Sequence, residues 1–165
     1  MIYSKTCKYA LRALFYLASK GNGVLTVIPE VSQKAGVPAP YISKVFQCLV
    51  RGGVLESQRG PNGGFAFKRH PETISLFEII QIIDDVSPLV NQCVMGLDEC
   101  SSANACPLHV IWASAKESIQ ETLERTTLTQ MRKRIGKLRF RQFIRPRLQV
   151  SLGLTDQLHS PGSKE

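Results

Sequence analysis

Three of the chain's five cysteines crowd into one stretch, CVMGLDECSSANACPLHVIW, running from Cys93 to Trp112. The spacing is Cys93-x6-Cys100-x5-Cys106, with His109 three residues further on. This is not the paired C-x2-C of a zinc knuckle or ribbon. Spacers this long let a loop wrap an object larger than one ion, and Gly96, Ser101, Ser102 and Asn104 make such wrapping feasible. Thiolates are the ligands that iron–sulfur clusters require. A cluster of two-iron or four-iron type is therefore the leading expectation; zinc, direct thiol oxidation and no cofactor at all are the alternatives. Cys106 stands just before Pro107 at the expected start of a helix, where the dipole favours a thiolate. His109 lies about one turn along, so Cys106 and His109 can face one centre, which makes His109 the first candidate for a fourth ligand. Its plainer reading is an inert, hydrogen-bonded histidine on an apolar helix. Cys7 and Cys48 sit among apolar helix positions and are expected in the core.

The loop has to hang between elements, and the residues before it outline them. The N-terminal segment places Cys7, Ala10, Leu11, Leu14, Leu17 and Ala18 at helical spacing, with Lys8 and Arg12 between them. It reads as an amphipathic helix over 4–20, ended by Gly21-Asn22-Gly23, and not as a signal peptide. No apolar run reaches membrane-spanning length, so a cytoplasmic location is expected, where clustered thiols stay reduced. A short helix over 27–35 stops at Gly36. Another runs from Tyr41 to the Gly52-Gly53 stop, with Pro40 in its first turn. Helix, tight turn, helix is the helix-turn-helix outline.

In the second helix of that pair Tyr41, Ile42, Val45, Phe46, Leu49 and Val50 are apolar, while Ser43, Lys44, Gln47 and Arg51 form one polar stripe. Those side chains suit phosphates and base edges in a major groove, although any solvated helix face has such a stripe. The segment after the helix is more specific. Val54–Arg59 and Phe65–Lys68 are short β runs around a Gly60-Pro61-Asn62-Gly63-Gly64 turn, which makes a hairpin wing. Arg59 at its mouth can press a guanidinium against phosphates or into a narrow minor groove, and Lys68 and Arg69 fall on the returning strand. ISLFEIIQIIDDV forms a fourth helix with Leu76, Ile79, Ile80 and Ile83 inward. After the cysteine loop, Leu108, Ile111, Trp112, Ala115, Ile119, Thr122 and Leu123 recur along a long helix. Pairing of that helix with its twin in a homodimer is the economical way to bury the stripe; docking on its own domain is the alternative.

Charge divides the chain in the same places. Formal net charge is +8, with ten Lys/Arg against two Asp/Glu in residues 1–70, two against nine in 71–130, and nine against two in 131–165. A basic block on a folded N-terminal unit suggests a polyanion partner or simply a solvated basic surface. The expected organisation is a winged helix-turn-helix domain over 1–85, a cluster-binding loop over 86–105, a dimerisation helix over 106–130, and a basic, partly disordered tail over 131–165. The fold class is thus mainly α with a small β-hairpin wing. No nucleotide-binding glycine motif, paired catalytic carboxylates or nucleophile–base pair is evident, so an enzyme is not expected.

YALRALFYLA, PYISKVFQCLVRGGVLESQRGPNGGF, ISLFEIIQIID and the C…C…CPLHVIW…LERTTL pattern resemble the IscR/NsrR/RirA family of bacterial winged-helix regulators, also called the Rrf-two family, over residues 1–130. The turn at Arg59–Gly64 is the most specific piece, and three loop cysteines before a helix mark the family's iron–sulfur branch. The resemblance implies a homodimeric transcription factor, such as a repressor, that binds a near-palindromic double-stranded DNA operator. It implies a major-groove role for Tyr41, Ser43 and Lys44 and a minor-groove role for Arg59. It also implies a fourth cluster ligand that varies, sometimes coming from the partner's N-terminal region; here no carboxylate precedes Glu30, which tilts the choice to His109. Pro40 and Ser43 depart from residues frequent in relatives, so the operator read cannot be copied from them. A cofactor-free thiol-redox regulator of the same fold, or a small iron–sulfur electron carrier, are the competing readings.

Overall fold

Ser4 starts the first helix, α1 (Lys5–Lys20), by accepting the Cys7 N–H on its hydroxyl oxygen. The apolar stripe of α1 then buries as its spacing predicts: Cys7, Ala10, Leu11, Leu14, Leu17 and Ala18 are inside, joined by Ala13 and Phe15. The structure is a computed structural model, and it describes residues 3–86, 91–97, 101–103 and 105–134. Two helices pack on α1 and on each other: α2 (Ile28–Ala35), stopped by Gly36 in the left-handed conformation, and α3 (Ala39–Arg51).

Helix α3 begins earlier than its apolar pattern suggests. Pro38 is its N-cap residue and Pro40 lies in the first turn, where a missing N–H costs nothing. Ile42, Val45, Phe46 and Leu49 are buried, but Val50 is half-buried and Tyr41 is 50% exposed. Cys48, expected in the core, is also half-buried, because it lies on the shoulder between the apolar and polar faces. Arg12 runs the other way. This charged residue is buried, and its guanidinium donates to the carbonyls of Ala35 and Gly36, capping the end of α2.

The hairpin is β1 (Leu55–Gln58) paired antiparallel with β2 (Gly64–Phe67), in the register Leu55 to Phe67 and Gln58 to Gly64. Its other edge is tied down as well: Thr26 and Phe65 exchange backbone hydrogen bonds of 2.9 and 3.0 Å. A Cβ on Gly64 would sit 2.8 Å from the Thr26 carbonyl oxygen, so that approach requires a glycine. The returning strand ends at Phe67, and Arg69, expected on it, pairs instead with Glu78 of the next helix.

A 3-10 turn (Pro71–Thr73) leads into α4 (Leu76–Ile83), whose N-cap Ser75 accepts the Glu78 N–H. Leu76, Ile79 and Ile80 are buried with Phe77, while Ile83 is only half-buried near the helix end. The long helix expected over 106–130 is α5 (His109–Arg125). It starts after Cys106 because residues 107 and 108 form a turn and Leu108 is the N-cap residue. Residues 126–128 then cross the segment before α4: Leu76 N–H donates to Thr126 O and Leu128 N–H to Ile74 O, at 2.9 and 3.1 Å. Helical residues 128–134 come next, with Leu128 wholly buried and Arg132 donating to the Ala18 carbonyl. Burying such a leucine contributes about 1.5–3 kcal/mol. The first residues of the expected tail therefore belong to the folded unit. Among the described residues, no helix is long and apolar enough to cross a membrane.

Candidate nucleic-acid interface and cysteine site

The polar stripe of α3 emerges where the core ends. Lys44, Gln47 and Arg51 are exposed, and Ser43 is half-buried beside them. Arg51 also folds back toward its own helix, with Nη2 3.3 Å from the Cys48 sulfur. Arg59, just beyond β1, is exposed and lines a groove with Gly23, Leu25, Glu56, Ser57 and Gln58. The helix and the wing are held to each other from inside: Phe46 of α3 meets Phe65 of β2 edge to face, with centroids 5.1 Å apart.

At the N-terminus of α3 the arrangement includes residues not expected there. Tyr41 packs edge-on against Tyr9 of α1 at 5.5 Å, and Lys5 lies over the Tyr9 ring at 5.8 Å. The first turn of α1 carries no acidic residue. Lys5 thus adds positive charge at a helix end that is already positive, a placement that an anionic partner would relieve. The i, i+4 spacing of Lys5 and Tyr9 was a readable signal; their proximity to Tyr41 was not.

The cysteine site is described in part, because Cys100 lies outside the described residues. Cys93 and Cys106 come together. They are 5% and 7% exposed, and the Cys106 thiol is in hydrogen-bond contact with the Cys93 sulfur. The backbone N–H groups of Leu97 and Met95 lower the Cys93 pKa most; burial opposes them, and Cys106 and the Gly96 N–H lower it further. Gly96, with φ of +78°, closes the turn by donating its N–H to the Cys93 carbonyl at 3.1 Å. Successive N–H groups turned onto one sulfur make an anion-stabilising nest. His109 is half-buried, and its N–H donates to the Cys106 carbonyl at 2.9 Å. Among the described residues, no group of three or more His, Cys, Asp or Glu side chains gathers at metal-binding distance. The donor set fits a thiolate-bound centre at its two described sulfurs.

Beside this site the first turn of α5 is exposed, while Leu123 near its other end packs against the core. None of the helix's residues is buried, and Val110 and Ile111 are 78% and 72% exposed. A side-chain bond also ties it to the cysteine loop. Trp112 Nε1 donates to the carbonyl of Gln92, the residue before Cys93, at 3.1 Å. Trp112 was legible in the sequence as part of an apolar stripe; this bond was not.

A helix-turn-helix braced against a hairpin wing, with a basic exposed face and a separate long helix, defines a winged-helix DNA-binding protein. Residues 3–134 match the model of the Rrf2 family, described as iron-dependent transcriptional regulators, and the chain belongs to that family. A protein of Aquifex aeolicus (strain VF5) named as an HTH-type transcriptional regulator is 33% identical over 133 residues, 79% of this chain and 91% of that one. The HTH-type transcriptional regulator IscR of Erwinia tasmaniensis is 26% identical over 124 residues, 75% of this chain and 74% of its own. The solved structure of CymR, the global cysteine regulator of B. subtilis, has a TM-score of 0.69 at 22% identity, covering 81% of this chain and 98% of that one, and shows the shared fold. The chain is thus a DNA-binding transcriptional regulator, as its motifs suggested, and no catalytic family is indicated.

Proposed function

We propose that this regulator acts as a homodimer on a near-palindromic operator, and that an iron–sulfur cluster held by Cys93, Cys100 and Cys106, with His109 as fourth ligand, sets its grip on DNA. The observation that carries the reading is the buried Cys93–Cys106 pair, with backbone N–H groups turned onto its sulfur, at the foot of an unburied helix. A bound cluster would supply iron chemistry responsive to iron supply, redox state or nitric oxide. The chain's own residues do the rest. Tyr41, Ser43, Lys44, Gln47 and Arg51 address the major groove, and Arg59 addresses the minor groove. The exposed apolar residues Leu108, Val110 and Ile111 favour a second copy of α5 as their cover. Two-fold symmetry then makes the spacing of the two α3 helices the variable that binding depends on, and any ligand acts only through its different fit to two spacings.

Anaerobic purification tests the cofactor. A brown protein with visible absorbance, iron and acid-labile sulfide is expected, with colour lost in Cys93→Ala, Cys100→Ala and Cys106→Ala and weakened in His109→Ala. A colourless wild type that grips its operator equally well with all three cysteines replaced would overturn the proposal.

One observation favours a second reading. Two thiols already in hydrogen-bond contact could act without a cofactor, as an oxidant sensor of the same fold. In that case the anaerobic protein is colourless, and peroxide changes operator binding in the wild type but not in Cys93→Ala.

A further inference from the structure

We infer that Trp112 is the positioning residue of the cysteine site: its indole N–H, bonded to the Gln92 carbonyl, holds the Cys93 arm of the loop on the first turns of α5. This role rests on the proposed function of the cysteine site, since it concerns the same sulfurs.

An indole has one donor and no acceptor, so a half-buried tryptophan beside a loop finds a carbonyl. The carbonyl it finds lies 20 residues back in the chain. Gln92 leads directly into the turn whose N–H groups from Leu97, Met95 and Gly96 surround the Cys93 sulfur. Fixing the Gln92 peptide therefore fixes where that turn begins. The opposite arm meets the same part of the helix: the Cys106 carbonyl accepts the His109 N–H at 2.9 Å, and Trp112 stands one turn beyond His109, its own N–H bonded to Leu108 O. Both described sulfurs are thus referred to one stretch of α5, one through the backbone and the other through the indole. A change in the separation of Cys93 and Cys106 must then act on α5 or break the indole bond.

The test uses the full-length chain. Trp112→Phe keeps an aromatic ring and removes the donor. In the metal-free variant, alkylation of each cysteine by iodoacetamide is followed by peptide mass spectrometry. Cys93 is expected to react about fivefold faster than in the wild type, in keeping with the loss of one ordinary hydrogen bond. Cys7 and Cys48 should react at wild-type rates. In iron-loaded material, visible absorbance should bleach several-fold faster under a chelator. A folded variant with an unchanged Cys93 rate, or with all cysteines accelerated alike, overturns the inference. Should the variant fail to fold, the wild type decides. The chain has one tryptophan, so its indole N–H gives a single resonance. Deuterium exchange slower than that of an exposed indole supports the bond, and exchange at the exposed rate overturns it. Absence of iron in the wild type would defeat the cluster reading and leave the alkylation result to stand independently.

Discussion

Arg59 is an exposed guanidinium at the mouth of the wing, and its side chain takes no part in the core. Arg59→Ala should leave the unfolding midpoint unchanged and weaken operator binding by about 1–3 kcal/mol in a titration, the range of one good groove contact. Cys7 shows the opposite kind of residue. Burial, reinforced by the negative charge of Asp84, pushes its thiol from an ordinary value near 9.0 up to about 12. The folded state then holds a proton that the unfolded chain releases above pH 9. This contribution to stability is complete below that pH and is lost as pH rises toward 12. Tyr16, raised to about 12 by burial and by its hydrogen bond to Glu30, acts in the same sense from about pH 10 upward. Urea midpoints measured from pH 8 to 11 should therefore fall, and Cys7→Ala should flatten the first part of the fall.

Elements are joined here by small polar clasps. Ser4 donates its N–H and its hydroxyl to the two carboxylate oxygens of Asp84, at 2.7 and 2.6 Å, which ties the start of α1 to the end of α4. Asp84 leads into the cysteine loop, so the same clasp joins that loop to the helix bearing Lys5 and Tyr9. Asp84→Ala should cost about 1–2 kcal/mol in urea unfolding, the value of exposed charge-assisted hydrogen bonds, with an unchanged denaturant slope. The wing depends on a tighter constraint. A Cβ on Gly63 would strike the Gln58 carbonyl oxygen, a backbone atom that cannot move without opening the hairpin. Gly63→Ala should reduce operator affinity at least as much as Arg59→Ala although Arg59 is intact, because it displaces the strand end from which Arg59 projects. A variant that binds like the wild type would show that the wing does not set the contact.

At the scale of the molecule, the exposed positive charge of residues 1–70 includes Lys44 and Arg51 on the polar face of α3, Arg59 at the wing and Lys5 and Lys8 at the start of α1, while α5 carries Glu117, Glu121 and Glu124. If these cations meet phosphates, the logarithm of the binding constant falls linearly with the logarithm of salt, by about 0.9 for each phosphate neutralised. The proposed dimer, with two or more such contacts per subunit, should give a slope of about −3.6 or steeper in gel shifts from low to moderate salt. A flat response would count against the basic face. If α5 pairs with its twin as proposed, substitutions along this acidic and apolar helix should alter subunit association and leave the slope unchanged.

Much of the scaffold was legible because local rules acted alone. The apolar spacing of α1, the Gly36 stop and the glycine-rich turn after Arg59 each arise from neighbours a few residues away. What escaped was set by distance in sequence. Arg12 could be read as a polar interruption of α1, but only the approach of α2 gives its guanidinium two carbonyls to cap. Arg69 falls on the returning strand by spacing alone, and only the approach of α4 brings Glu78 to it. The three loop cysteines announced thiolate chemistry by their spacing, yet nothing in that spacing says that Cys93 and Cys106 touch or that Trp112 holds the peptide before them. Chain order determined which residue types were available and which helices and strands they could form; tertiary packing decided which side chains meet, since contacts across 20 or 80 residues depend on how whole elements fit together and leave no periodic trace.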